Sequence, residues 1–422
     1  MALLVVTWAF ALLQLSRAPE LDSGLVKYLL INTALFGGAH VATRFLAPRA
    51  TPILLPAACL IQGLGYVMIL RLSPDKAAAQ SVWSGVAVAV FVVALLLLRD
   101  YRRIARYQYT WALLGVVTLL LPLVPGIGRE VNGSTLWVGI GGLTFQPGEI
   151  AKIALLFFLA AYLTDKRELL TITTWRIGPL KMPDLKHLVP IVFAWGLSFL
   201  VLVAESDLGS SLLLFAVFLA VFWVATGRAA YQLLGGSLFA LGAVTAYSLF
   251  GHVQTRIGIW LDPFKDYEGS GYQLAQSLFG LGSGGVTGTG LGNGYPNFIP
   301  LAYSDFIFSA FGEELGLLGT TALLVAFLTV IAAGVRISLA TQDAFGKLLA
   351  AGLTSIIAFQ VFIIVGGVTR LIPLTGITIP FFSYGGSSLV VNFVILAVLT
   401  AISDQRGRPT VDAEELALEL KS

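Results

Sequence analysis

Residues 81–123 read SVWSGVAVAVFVVALLLLRDYRRIARYQYTWALLGVVTLLLPL. Two apolar runs, 80–98 and 109–124, flank the basic cluster RDYRRIARY at 99–107. A helix needs about 20 apolar residues to cross the hydrocarbon core of a bilayer. Both runs are continuous and do not alternate residue by residue. They therefore read as membrane-spanning helices and exclude an outer-membrane barrel. The basic cluster between them reads as a cytoplasmic turn.

The same pattern recurs in both directions from this pair. Twelve candidate spans lie near 2–16, 25–46, 52–72, 80–98, 109–124, 147–164, 188–204, 208–226, 230–250, 305–335, 343–366 and 384–402. Of 422 residues, 57% are hydrophobic and 12% charged, against about 25% charged in a soluble domain. A soluble enzyme and a disordered chain are thereby excluded. Basic residues cluster only beside apolar runs, so no nucleic-acid partner is expected. The fold class is all-α: a polytopic helical membrane protein of about 12 spans.

An even number of spans puts both termini on one side. With the termini cytoplasmic, 17 of the 26 Lys and Arg fall inside and 8 outside, which favours that orientation. The first run has no basic leader and no small-residue cleavage site, so it reads as a true helix and not a signal peptide. The polar tail at 403–422 reads as a cytoplasmic end. Cys59 sits in an apolar run, and His40, His187 and His252 have no metal-ligand spacing.

Three non-helical stretches then lie outside: 125–146, 251–304 and 367–383. The middle one is too long for an ordinary connection and reads as a functional loop. It holds 12 Gly in 54 residues, and Arg256, Asp262, Lys265, Asp266 and Glu268 all fall in its first third. Its glycines either let backbone N–H groups approach a phosphate or form a loose surface loop. Asp262 and Asp266 read as helix caps or as a carboxylate held at the membrane surface for proton transfer.

FQPGEIAK at 145–152 opens a span and sets Glu149 and Lys152 three residues apart on one helix face. A charge in a span costs about 2.5–3.5 kcal/mol on insertion scales. The pair is either self-neutralising or holds a cation ready for a lipid pyrophosphate. Asp207 in ESDLG is a helix cap or a functional acid. Asp305 caps the next helix, while Glu313 and Glu314 two turns further on are harder to dismiss. GGVTRLIPLTGITIPFFSYGGSS at 366–388 is apolar enough to re-enter the membrane, with Arg370 as its one charge. That arginine is a candidate phosphate ligand or an interfacial side chain snorkelling to headgroups.

FQPGEIAK, ESDLG, DPFKDYEGSGYQLAQSL, GSGGVTGTGLGNG, SDFIFSAFGEELG and RLIPLTGITIPFFSYGGSS, with Asn392 nearby, resemble the SEDS family of bacterial peptidoglycan glycosyltransferases, which includes RodA and FtsW. The resemblance spans roughly 52–402 and leans towards the RodA type. It implies a ten-helix core at 52–402 within one membrane domain (1–402), with an extra N-terminal helix pair at 1–48 and 251–304 as the large extracytoplasmic loop. It implies a plasma-membrane enzyme in cell-wall synthesis that polymerises lipid II into glycan strands. Asp266 would be the catalytic base, partly buried and so poised towards neutral pH. Glu149, Lys152, Asp207, Arg256, Arg370 and Ser387 would bind substrate. A divalent cation, Mg or Mn, could assist the departing pyrophosphate, and a class B penicillin-binding transpeptidase would be the partner. In one departure, Leu136 precedes Trp137 where the family usually has arginine; Arg129 is the nearest substitute. The alternative functions are a lipid II flippase and a non-enzymatic scaffold.

Overall fold

The structure is a computed structural model. It describes residues 1–17, 23–131, 134–140, 143–167 and 207–405, with scattered positions between 169 and 196. Helices run over α1 Ala2–Arg17, α2 Ser23–Leu46, α3 Leu54–Leu72, α4 Pro74–Leu97, α5 Gln108–Leu120 and α6 Pro147–Asp165. Beyond the gap follow α7 Leu208–Thr226, α8 Ala229–Leu249, α9 Gly251–Leu261, α10 Tyr272–Gly284, α11 Ile307–Ala340, α12 Ala344–Val368 and α13 Gly386–Gln405. Among the described residues, 8 segments are long and apolar enough to cross a membrane. One of them, Pro74–Leu123, joins α4 and α5 through a 3₁₀ turn at Leu98–Tyr107 that carries the basic cluster. The predicted span 188–204 and the tail beyond 405 lie outside the described residues.

Helix starts follow local chemistry. Ser73 caps α4 ahead of Pro74, whose missing N–H costs nothing in a first turn. Asp207 and Asp343 cap α7 and α12 by accepting the N–H of Ser210 (2.9 Å) and of Gly346 (2.7 Å). The core forms where α13 packs on α4, α5 on α6, and α12 on α11 and α7. The N-terminal helices join it directly. Val6 of α1 fills the space over Gly63 of α3, and Tyr66 meets Phe10 and Tyr28 at 6.1 and 5.9 Å.

Of the stretches expected to be non-helical, the first holds strands and fits, whereas the second holds helices. The 125–146 stretch is a three-stranded antiparallel sheet, β1 Gly128–Val131, β2 Ser134–Ile140 and β3 Leu143–Phe145. The 251–304 segment contains α9, α10 and a 3₁₀ turn at Pro296–Phe298. Its glycine run is neither a loose loop nor a ready phosphate cradle. It lies against a break in α11 at Gly316, whose φ of 63° and ψ of −164° leave the helix. A Cβ there would come within 2.3 Å of the Gly288 nitrogen, so only glycine permits the approach. The helix carbonyls freed by the break accept from Thr289 N (3.0 Å) and Gly290 N (2.9 Å). Leu317 and Leu318 in turn donate to Gly285 O and Val286 O at 2.9 and 3.1 Å.

The paired carboxylates of α11 complete this seam. Glu314 accepts from Gly292 N at 2.9 Å and forms a salt bridge with Arg71 at 3.1 Å. Arg71 also donates to Gly292 O and Gly294 O, both at 3.1 Å, and Glu313 accepts from Tyr295 N at 2.6 Å. Removing one member of a buried ion pair costs about 3–5 kcal/mol because the other charge is stranded. Arg71→Leu should lower unfolding stability by roughly that amount in detergent-solubilised protein, and Arg71→Leu combined with Glu314→Leu should recover part of the loss.

Candidate active site

Alternating helix direction brings one set of ends together: the C-termini of α3, α5 and α12 and the N-termini of α4, α6, α7, α11 and α13. Between α12 and α13 the chain, residues 369–385, runs back into this end without helix or strand. Ile379, Phe381 and Phe382 of this strap are buried at 1%, 2% and 0% exposure. Phe382 meets Phe311 edge-on at 5.3 Å, and Phe381 meets Phe393 at 5.7 Å. Non-helical backbone at membrane depth is tolerated only where protein or water satisfies it. Here side chains do so. Ser383 Oγ accepts from Ile379 N at 2.9 Å, and Gln360 donates to Thr378 O at 2.7 Å. The stretch expected from composition to re-enter is thus a buried strap between α12 and α13.

Most of the expected site residues attach to this strap. Lys152 Nζ lies 2.9 Å from Glu149 Oε2 and donates to Gln360 Oε1 at 3.4 Å. Ser387 Oγ accepts the Gln146 N–H at 3.0 Å and pins the start of α6 to the start of α13. Arg256, on α9, donates from Nη1 to Thr375 O at 3.1 Å. Gly209, the second residue of α7, abuts Thr375 and Ile377, which brings Asp207 to the same place. Asp207 is a helix cap, and it also lies within the electrostatic reach of Arg256 and Glu149. Burial pushes its carboxyl up, and the Ser210 hydrogen bonds and Arg256 pull it back.

Two residues missing from the expected set belong to this cluster. Gln360 links Lys152 to the strap; its signal was an amide inside an otherwise apolar span. Asp305, expected only as a cap, sits beside Gly376 and faces Arg256. Burial pushes its carboxyl up to about 6. Arg129, by contrast, lies across Gly139 of the sheet and is exposed.

Asp266 is placed differently from the expectation. It lies in the exposed turn between α9 and α10, and its Oδ2 accepts from both Ser270 N and Ser270 Oγ at 2.8 Å. Those hydrogen bonds hold its carboxyl below the usual range. The partly buried, neutral-poised base is therefore not what the turn presents, because the Ser270 hydrogen bonds outweigh the slight desolvation there. Arg370 also has a definite task. Its φ is +62°. Its Nε donates to Trp260 O at 2.7 Å and its Nη2 to Leu261 O, while Trp260 Nε1 donates back to Arg370 O at 3.1 Å. A cation on the last carbonyls of a helix is favourable, and here it clasps α9 just ahead of the Asp266 turn. Among the described residues no three His, Cys, Asp or Glu side chains form a metal-ligand group.

A polytopic helical bundle with a polar, strap-lined site at one end defines a multi-pass membrane protein. The chain belongs to the FtsW/RodA/SpoVE family, whose model, described as "Cell cycle protein", matches residues 55–408. It is 46% identical over 417 residues to the peptidoglycan glycosyltransferase RodA of Mycobacterium tuberculosis, covering 96% of this chain and 89% of that one. It is 39% identical over 300 residues to the stage V sporulation protein E of Bacillus subtilis, covering 70% and 79%. Among solved structures it is similar to a chain from a study of polymerization and crosslinking by a peptidoglycan synthase complex, with a TM-score of 0.69 and 26% identity over 85% of this chain and 99% of that one. It is also similar to a mutant of the rod shape determining protein RodA of Thermus thermophilus, with a TM-score of 0.62, 26% identity and the same coverage.

The Arg370 clasp predicts that Arg370→Ala loosens the turn at 262–271. Amide hydrogen exchange of Phe264–Ser270 should rise at least tenfold in the purified variant while the α12 amides keep their protection.

Proposed function

We propose that this peptidoglycan glycosyltransferase polymerises lipid II at the strap-lined end of the bundle, with Asp266 as general base. The observation that carries the reading is that α9 bears both halves of the chemistry. Arg256 in its middle joins the charged cluster, and the Asp266 turn follows its C-terminus, about 8 Å of helix rise away. Cations thus stand where an anionic pyrophosphate would sit, and a carboxylate stands on the exposed side where sugars would lie.

In this mechanism Asp266 takes the proton of the acceptor sugar's 4-hydroxyl. The oxygen attacks the anomeric carbon of the donor, the bond to the lipid pyrophosphate breaks, and its electron pair stays on the pyrophosphate. Arg256 and Lys152 stabilise that charge. At rest Asp266 is ionised but a weak base. A bound sugar that displaces water and competes for Ser270 would raise its basicity, since desolvation disfavours a bare carboxylate. A divalent cation, Mg or Mn, enters the proposal only as a counter-ion of the substrate's own pyrophosphate. The site end faces outward from the plasma membrane, with both termini cytoplasmic. A class B penicillin-binding transpeptidase is the proposed partner, which would crosslink the strands made here.

The flippase reading fits less well. Among the described residues the ion pairs fall at the two ends of the bundle: Lys152–Glu149 and Arg71–Glu314 at the strap end, and Arg102–Asp343, Arg103–Asp100 and Lys166–Asp165 at the other. A transport path would distribute charge through the depth.

Asp266→Asn should reduce lipid II polymerisation by about 10²–10⁴-fold, the usual contribution of a general base. Unimpaired polymerisation by the folded variant removes Asp266 from the mechanism. Because its carboxyl is held low, Asp266 loses its proton well below neutral pH. The free-enzyme profile of kcat/KM should therefore show no acid-side loss from this group above about pH 5.

A further inference from the structure

The cluster around the strap contains an odd carboxylate. Glu149, Asp207 and Asp305 face two cations, Lys152 and Arg256. Lys152 is paired with Glu149 at 2.9 Å. Asp207 and Asp305 both act electrostatically on Arg256. Neither closes a salt bridge on it among the described residues. Its one protein hydrogen bond among those residues goes to Thr375 O. The remaining guanidinium N–H groups are thus open to an anion, and the charge around them depends on how many carboxylates are ionised. With all three ionised the cluster carries one net negative charge, and with one protonated it is neutral.

The other groups at this end are accounted for. On α11, Glu313 and Glu314 are turned to the glycine run. Lys76 of α4 lies over the rings of Tyr303 and Tyr384 at 5.6 and 5.2 Å. On α9, His252 packs against Phe250 at 5.5 Å, and on the strap Arg370 is spent on α9 carbonyls. Asp207 is committed to Ser210 as a cap. Asp305 caps no helix and is held only by the hydroxyl of its neighbour Ser304. It rests against Gly376, the residue after the one whose carbonyl holds Arg256.

We propose that Asp305 is a positioning residue that sets, by taking up or losing a proton, how much of the Arg256 charge is available to the anionic end of the substrate. Protonated, it leaves Arg256 free for a phosphate. Ionised, it draws the guanidinium to itself and repels the ligand. Its carboxyl is pushed up to about 6 by burial, so this exchange falls within the physiological range. The sign follows: affinity for a pyrophosphate-bearing ligand is highest below that value and falls as pH rises through it. The inference rests on the reading that this end receives the substrate pyrophosphate, but not on Asp266 being the base.

The test is equilibrium binding of a fluorescent lipid II whose 4-hydroxyl is blocked, so that it cannot act as acceptor, to the full-length protein in nanodiscs. Its pyrophosphate is a diester and does not titrate in this range. For the unaltered protein, Kd should rise about tenfold between about pH 5.5 and 8, the effect of one added negative charge ~10 Å from a phosphate at an effective dielectric of ~20. In Asp305→Asn the profile should be flat. Arg256→Gln should bind more weakly than the unaltered protein at every pH. A slope retained in folded Asp305→Asn, or a flat profile in the unaltered protein, overturns the proposal. A merely structural Asp305 would change the amount of folded protein and leave the slope in place. Failure of Asp266→Asn to lose polymerisation would overturn the base assignment and leave this result standing.

Discussion

A backbone that gives up helical hydrogen bonding inside an apolar bundle must find other partners, and much of this molecule can be read as the means of providing them. The strap at 369–385 is the largest such debt. Gln360, Ser383 and Tyr303 discharge part of it, with Tyr384 N donating to Tyr303 O at 2.9 Å and Ser383 Oγ donating onward to Ser304 O at 2.8 Å. Arg256 and Gln360 serve two purposes, because the same side chains that hold the strap carry charge or hydrogen-bonding capacity into the site. Polar groups in this end are therefore few, buried and shared, as expected where an unsatisfied one is expensive.

The glycine-rich seam solves the same problem in another way. Instead of importing side chains, it breaks α11 at Gly316 and pairs the exposed carbonyls with backbone N–H groups of 289–290. Arg71 and Glu314 then lock the arrangement from α3. Adjacent carboxylates that look chemical in the sequence turn out to be structural, and a neighbouring aspartate that looks like a cap faces the site.

That contrast marks what was legible. The spans were readable because about 20 contiguous apolar residues have few alternatives, and eleven of the twelve coincide with helices, the other lying outside the described residues. The strap was readable from proline and apolar residues at a depth where a loop should be polar. The helix at 251–261 was hidden by Gly251 and Gly258, since glycine lowers helix propensity wherever packing does not override it, whereas the capping reading of Asp262 and Asp266 already placed a helix beyond them. Strands β1–β3 were hidden because seven or fewer residues each carry little periodic signal. The residue types of the site were readable; their roles were not. Whether Arg370 holds a phosphate or a helix end depends on which carbonyls lie beside it, and that is a property of the fold. The exposure of Asp266 and the burial of Asp305 depend likewise on distances between segments far apart in the chain.

The reciprocal bonds between Trp260 and Arg370 have a mechanical consequence. Each residue donates to the other's carbonyl, so the end of α9 and the start of the strap are coupled like two links of a chain. A tilt of α9 cannot occur alone; it drags the strap's first residues and shifts the carbonyl that steadies Arg256. Any neighbouring protein that pressed on this short helix would thereby gain a lever on the interior from outside it.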